Sequence, residues 1–167
     1  MSEYTYATID SPIGRLELVS NGEALIRLDI EGAPNAPHGM LQHHGHPGSP
    51  DRVIEQAARE LDQYFAGKRT EFEVPIALVG TEFQQAIWLA LLGVPYGETA
   101  TYGELAARAG NPQAACAVGG AVGANPVAII VPCHRILASD GKLTGYSNGN
   151  GTATKRQLLD FEGIRYR

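Results

Sequence analysis

The sequence predicts a mixed α/β protein, with a small antiparallel sheet and one helix first and a mostly helical part after them. Three observations predict it. Short apolar runs punctuated by turn residues fill Tyr4 to Ile30. Two capping-box sequences, Thr81-Glu82-Phe83-Gln84 and Thr101-Tyr102-Gly103-Glu104, open helices further on, and Gly93, Pro95 and Gly110 close them. With 167 residues, 44% hydrophobic and 19% charged, the chain has the composition of a globule and not of a disordered chain or a rod.

The opening turn Asp10-Ser11-Pro12-Ile13-Gly14 leads to Leu16 and Leu18, and the hairpin signal Asn21-Gly22 leads to Leu25, Leu28 and Ile30, an antiparallel meander. Residues 31–50 are rich in Gly, Pro and His without periodicity and are expected to form a mobile loop. Its histidines, His38, His43, His44 and His46, have neither helical spacing nor accompanying cysteines, so no metal site is expected. Ser49 as N-cap and Pro50 at the first position start a helix that faces the core with Ile54, Ala57, Ala58, Leu61 and Phe65 and stops at Gly67. The expected division is an α/β lobe over 1–78 and a second lobe over 79–167.

In the second part, Phe83, Ile87, Trp88, Leu91 and Leu92 make the apolar face of the helix that begins after Thr81. After the short helix from Thr101, Asn111 caps another with Pro112 at its first position, running to Val122. The Gly110-Asn111 break fits a helix-turn-helix, and it fits an ordinary helical hairpin as well. Gly119 and Gly120 each cost about 1 kcal/mol relative to Ala in a helix, which points to close approach by a neighbouring element or a nucleic acid. That helix lacks the side chains that read base edges, so any DNA binding there is led by shape and backbone. Val127 to Val131 is a continuous apolar run, read as a buried strand or extended segment. Thr154-Lys155-Arg156-Gln157 opens the last helix, with Leu158, Leu159 and Phe161.

The net charge of −5 argues against a polyanion partner only on average. Residues 1–95 carry −7 and residues 96–167 carry +2, so the second part remains able to meet DNA, weakly and with salt sensitivity. No apolar run is long enough to span a bilayer and the first residues carry no secretion pattern, so a cytoplasmic protein without membrane contact is expected. Two cysteines, Cys116 and Cys133, make neither a disulfide framework nor a metal knuckle.

Pro132-Cys133-His134-Arg135 follows the buried run directly. A thiol beside an imidazole is a candidate activated nucleophile, and the alternative is an inert buried cysteine beside an unrelated histidine. Neighbouring side chains on an extended segment point apart, so His134 acts on Cys133 only through a bend or a bridging water. Glu162, just before Gly163, is a possible carboxylate partner for the imidazole.

Pro132-Cys133-His134-Arg135-Ile136 resembles the active-site signature of the O6-alkylguanine-DNA alkyltransferases. Tyr102-Gly103-Glu104-Leu105-Ala106, Ala117-Val118-Gly119-Gly120-Ala121, Asn125-Pro126, Gly145-Tyr146 and Leu158-Leu159 with Glu162-Gly163 follow in the family's order, and the likeness covers nearly the whole chain. The resemblance implies a ribonuclease-H-like N-terminal lobe and a C-terminal lobe with a helix-turn-helix. It implies Cys133 as alkyl acceptor, His134 as water-linked base and Glu162 as its orienting carboxylate. Asn125 would brace the nucleophile turn, and Tyr102 would pass a proton to the leaving guanine. Ala114, Ala115, Cys116, Ala117, Gly119, Arg135, Tyr146 and Ser147 fall at DNA- or base-contacting positions. The implied activity is single-turnover transfer from O6-alkylguanine in double-stranded DNA, by a monomer, without metal or cofactor.

Two departures stand out. The family usually has arginine where this chain has Cys116, which neither fills the space of a flipped base nor pairs with its partner, so flipping should be less favourable. The segment Ser147 to Thr154 is about two residues longer than the family's loop, and Gln157 replaces a common aromatic residue, which predicts a wider or looser pocket for bulkier alkyl groups. Two other readings are a non-catalytic protein that flags lesions, and a thiol acceptor for a small-molecule alkyl donor.

Overall fold

The computed structural model describes residues 4–32, 46–47 and 51–167. Strands β1 (Thr5–Ile9), β2 (Leu16–Ser20) and β3 (Leu25–Ile30) form the expected meander, with Ala7 opposite Leu18 and Leu18 opposite Leu28. Asn21 builds the second turn, its Oδ1 accepting from the Glu23 and Ala24 amides at 2.9 Å each. A two-residue strand β4 (His46–Pro47) pairs parallel to β1, inside the segment expected to be loop. Residues 33–45 and 48–50 of that segment, including His38, His43 and His44, lie outside the described residues.

Helix α1 (Arg52–Phe65) corrects the expected start. Its N-cap is Asp51, whose side chain accepts from the Ile54 amide at 2.9 Å. Ser49 and Pro50 lie outside the described residues. Its buried face carries Tyr64, while Phe65 is only partly buried. Buried Glu60 receives the amides of Glu73 and Val74, at 2.8 and 3.0 Å, which holds the following extended segment against the lobe. That segment runs along the edge of β3, with Leu25 N–H donating to Pro75 O at 2.8 Å.

Helix α2 (Glu82–Leu92) and helix α3 (Tyr102–Arg108) both carry the reciprocal capping box read from sequence. Leu92 is 42% exposed and leaves the expected apolar face to Ile87, Trp88 and Leu91. Between α2 and α3 lies β5 (Ala100–Thr101), which pairs parallel with β6 (Ile136–Leu137). Helix α4 (Ala115–Gly123) begins three residues later than expected. Asn111 to Ala114 form a separate turn, Ala114 N–H donating to Asn111 O, and no side chain caps α4. Val118 and Ala121 face the core, where Trp88 Nε1–H donates to Ala121 O at 2.9 Å. The last helix, α5 (Thr152–Phe161), starts two residues before the expected point.

One hydrophobic core runs from the sheet through α1 and α2 to α4 and Cys133. Among the described residues no helix is long and apolar enough to cross a membrane.

Candidate active site

Val127 to Val131 is buried, as its composition predicts, yet it is not a strand. It coils into a turn in which Val131 N–H donates to Val127 O at 3.0 Å and Ile129 takes a positive φ of 72°. A β-branched residue in that region is strained. Asn125 holds the coil from inside, its Nδ2 donating to Val131 O at 2.8 Å and its Oδ1 accepting the Val127 amide at 3.0 Å. From outside, Leu28 of β3 donates to Pro126 O at 2.9 Å and accepts from the Ala128 amide at 3.2 Å.

The chain leaves this turn into a single 3-10 turn, Cys133–Arg135, which supplies the bend that an extended segment lacks. The Cys133 sulfur accepts from Asn125 Nδ2 at 3.0 Å, and no direct hydrogen bond joins it to His134. Burial pushes the thiol above its ordinary pKa, opposed by the Asn125 amide, the Lys155 charge and the Tyr146 hydroxyl. The Tyr146 hydroxyl itself is buried and makes no hydrogen bond of ordinary geometry.

His134 is fully buried. Its Nε2 pairs with Glu162 Oε2 at 2.7 Å, and its Nδ1 has no partner. Burial lowers its pKa, partly offset by Glu162, so the neutral ring is favoured. With Nε2–H donating to the carboxylate, Nδ1 is left as a free acceptor. Burial alone would raise the Glu162 carboxyl, but hydrogen bonds from His134, Arg135 and the Tyr64 hydroxyl hold it far below the usual carboxylate range.

Arg135 does not line the cavity that holds Cys133, which corrects its expected place at the DNA. Its Nε and Nη2 grip Glu162 at 2.8 and 3.0 Å, its Nη1 donates to Val94 O at 2.8 Å, and its guanidinium lies 5.7 Å from the Tyr96 ring centre. A buried guanidinium with a bidentate carboxylate has no charge to offer a phosphate.

A cavity of about 330 Å³ opens beside the thiol, lined by Tyr102, Gly119, Val122, Gly123, Cys133, Gly145, Tyr146 and Ser147. That volume is at the low end for small-molecule sites. Tyr102 shares a 2.8 Å hydrogen bond with Thr144 Oγ1, and buried Lys155 Nζ donates to the same oxygen at 2.8 Å and to Ile136 O at 2.6 Å. Burial pulls Lys155 down to about 8.

On α4, Ala114 and Ala115 are half-buried, while Cys116, Ala117, Gly119 and Gly120 are exposed. A Cβ at either Gly119 or Gly120 would meet nothing within the protein, so no neighbouring element explains them. Gly123 is different, because a Cβ there would stand 3.1 Å from Ser147 Oγ.

The longer loop after Tyr146 is not loose. Asn148 Oδ1 accepts the Ile30 amide at 2.8 Å, the Gly149 amide donates to Ile30 O at 3.0 Å, and the Asn150 amide donates to Thr154 Oγ1 at 2.8 Å. Asn148 and Gly149 pin the loop to β3, which corrects the expectation of a loosened pocket. Among the described residues no group of three or more His, Cys, Asp or Glu side chains is placed to hold a metal.

Sequence reasoning missed Tyr64, Thr144 and Lys155. Tyr64 sits in an apolar stripe and was indistinguishable from packing residues. Lys155 left a signal, since it falls three and four residues before the buried Leu158 and Leu159, on the helix face that meets the core.

A family model described as the ribonuclease-like domain of 6-O-methylguanine DNA methyltransferase matches residues 4–78, and one described as its DNA binding domain matches 82–164. The methylated-DNA–protein-cysteine methyltransferase of Mycobacterium tuberculosis is 49% identical over 163 residues, covering 96% of this chain and 93% of the relative. That of Haemophilus influenzae is 45% identical over 167 residues, covering 99% and 90%. The crystal structure of Mycobacterium tuberculosis OGT in complex with DNA matches with a TM-score of 0.83 at 48% identity, over 95% of this chain and 92% of that one.

Proposed function

The chain belongs to the methylated-DNA–protein-cysteine methyltransferase family, and we propose that Cys133 is the acceptor to which it transfers the alkyl group of O6-alkylguanine in DNA. The observation that carries the assignment is the Cys133 thiol opening onto a base-sized cavity beside a buried imidazole whose Nδ1 is free.

A base in a duplex hides its O6 group, so the nucleotide leaves the stack at a cost of a few kcal/mol. The exposed glycines of α4 let a DNA backbone approach closely there. The Cys133 proton passes, across the gap that a water fills, to His134 Nδ1, while Nε2–H stays with Glu162. The thiolate attacks the alkyl carbon in line, the S–C bond forms and the C–O6 bond breaks. The guanine that leaves takes a proton from Tyr102, whose hydroxyl is backed by Thr144 and Lys155. The imidazolium gives its proton up to solvent and the Tyr102 phenolate takes one back, so the net change moves the thiol proton to guanine. A thioether resists hydrolysis even beside a base, because a thiolate leaves an unactivated sp3 carbon poorly, so each molecule reacts once, and no step calls for a metal or cofactor.

We assign the DNA-facing part to 79–167 and its support to 1–78, and place the monomer's work in the cytoplasm. The test is intact mass after incubation with a duplex holding one O6-methylguanine. Wild type and Cys116→Ser should gain one methyl group, and Cys133→Ser none. Binding without gain would instead make the protein a lesion-flagging one. Equal transfer from a free alkylated base and from duplex would favour a small-molecule donor.

A further inference from the structure

Glu162 is held by more than the two residues of its own motif. Its Oε2 accepts from His134 Nε2 at 2.7 Å, from Arg135 Nη2 at 3.0 Å and from the Tyr64 hydroxyl at 2.6 Å. Its Oε1 accepts from Arg135 Nε at 2.8 Å and from the Gly97 amide at 3.3 Å. Tyr64 comes from α1, and among the described residues of 4–78 it is the one whose side chain bonds a group of the site. The ring is fully buried and wedged among Phe65, Phe72, Tyr96 and Phe161, with centroid separations of 5.0 to 6.1 Å. Packing alone asks only for a phenyl ring there. A hydroxyl buried in such a cluster is tolerated because it is bonded, and its partner is the oxygen that also holds the imidazole.

We propose that Tyr64 is a positioning residue for the alkyl transfer, its hydroxyl sharing Glu162 Oε2 with His134 and so keeping the imidazole neutral and aimed through its free Nδ1. The inference rests on the reading of Cys133 as the acceptor. The physics is a competition for one oxygen. A further strong donor on Oε2, beside His134 and Arg135, spreads the carboxylate's charge and weakens its pull on the Nε2 proton, which lowers the stability of the imidazolium. Tyr64 stays a donor throughout, because burial and then the Glu162 charge push its phenol far above the ordinary value. The other charged or titratable groups acting on His134 are Arg135 of the same turn and Lys155 of α5, which both oppose its protonation, and Glu162, which favours it. Cys133 precedes it in the same turn, and Tyr96, packed against Tyr64 and Arg135, acts on this cluster from the loop after α2.

The experiment measures the single-turnover rate constant of Cys133 with O6-benzylguanine at saturation, from pH 5.5 to 9, in wild type, Tyr64→Phe and Phe161→Leu. Loss of the hydroxyl should move the rising limb of the Tyr64→Phe profile upward by about half a pH unit or more, with half-saturation unchanged. At pH values below the midpoint of that limb the rate should fall about threefold or more, the same shift read at fixed pH. Phe161→Leu loosens the same aromatic cluster without touching the hydroxyl and should lower the melting temperature with the limb in place. Site-specific Tyr64→3-fluorotyrosine, whose phenol donates more strongly, should move the limb downward, and it decides the matter if Tyr64→Phe does not fold. Coincident limbs for wild type and both Tyr64 variants, or for wild type and fluorotyrosine alone in that case, would overturn the inference. A wild type that does not alkylate Cys133 at any pH would instead overturn the functional assignment.

Discussion

Replacing Asn125 with alanine tests whether the nucleophile turn is held by one side chain. In the native protein the Val127 amide, fully buried, has Asn125 Oδ1 as its partner, and Val131 O receives both Asn125 Nδ2 and the Cys133 amide. The alanine variant leaves the first group without a partner, a loss of about 1–3 kcal/mol, and takes one of two bonds from the second, about 1 kcal/mol more. A total near 3 kcal/mol corresponds to a fall in melting temperature of about 6–12 °C for a chain of this size. The same change removes the donor that opposes the upward push of burial on the thiol, so alkyl transfer should slow along with the loss of stability. The assay is thermal and urea unfolding of Asn125→Ala in a Cys116→Ser background, with the transfer rate measured well below the new midpoint. A midpoint within about 2 °C of the parent, less than 1 kcal/mol by the same conversion, would refute the bracing role.

Three further outcomes are expected. Because burial raises the Cys133 pKa, its thiolate fraction is small at neutral pH and grows with pH, so reaction of Cys116→Ser protein with a small uncharged alkylating reagent should rise about tenfold per pH unit through pH 8. A plateau below pH 7 would contradict that. Cys116→Arg should speed transfer from duplex several-fold, about 1 kcal/mol, and leave transfer from free O6-benzylguanine unchanged; parallel gains on both would show that position 116 does not act on base flipping. Asn148→Ala should destabilise the protein by about 1–2 kcal/mol, since the buried Ile30 amide loses its partner, and raise benzyl relative to methyl transfer as the loop comes away from β3. An unchanged benzyl-to-methyl ratio would mean that this anchor does not set pocket width.

What could be read from sequence was whatever neighbours in the chain decide. The capping boxes at Thr81 and Thr101 occur as expected because both partners lie within four residues and the bonds are local. The start of α1 was legible only to within a few residues, because Ser49, Pro50 and Asp51 all carry start signals and the residue that bonds the Ile54 amide is the last of them. Asn111-Pro112 gave the same kind of error for α4, where a turn consumed the starting residues. The run Val127 to Val131 was rightly placed in the core and wrongly straightened. Its coil depends on the Asn125 side chain and on Leu28, which no local pattern in that run contains. Arg135 shows the limit most plainly, because a motif places an arginine near DNA and only the fold brings Glu162 and Val94 to take its donors away.

Among the described residues, those of 4–78 hold no reacting group, yet they touch each part of the site that must not move. Leu28 bonds both sides of the nucleophile turn, Ile30 bonds both ends of the contact with the pocket loop, and Tyr64 bonds the carboxylate behind the imidazole. Two of these contacts are backbone edges of β3, which otherwise would be an open strand edge. The edge is thereby closed and the site aligned by the same bonds. Side-chain truncation on β3 leaves those bonds available, so it should cost stability in proportion to lost apolar contact while sparing the turn. A register shift of β3 would move Leu28 and Ile30 together, displacing the nucleophile turn and the pocket loop in one step. The neutral buried imidazole and the charged carboxylate beside it therefore depend on β3 and α1 as much as on their own motif, and a free 79–167 fragment would keep the motif while losing the Tyr64 bond to Glu162 and the β3 bonds to the turn.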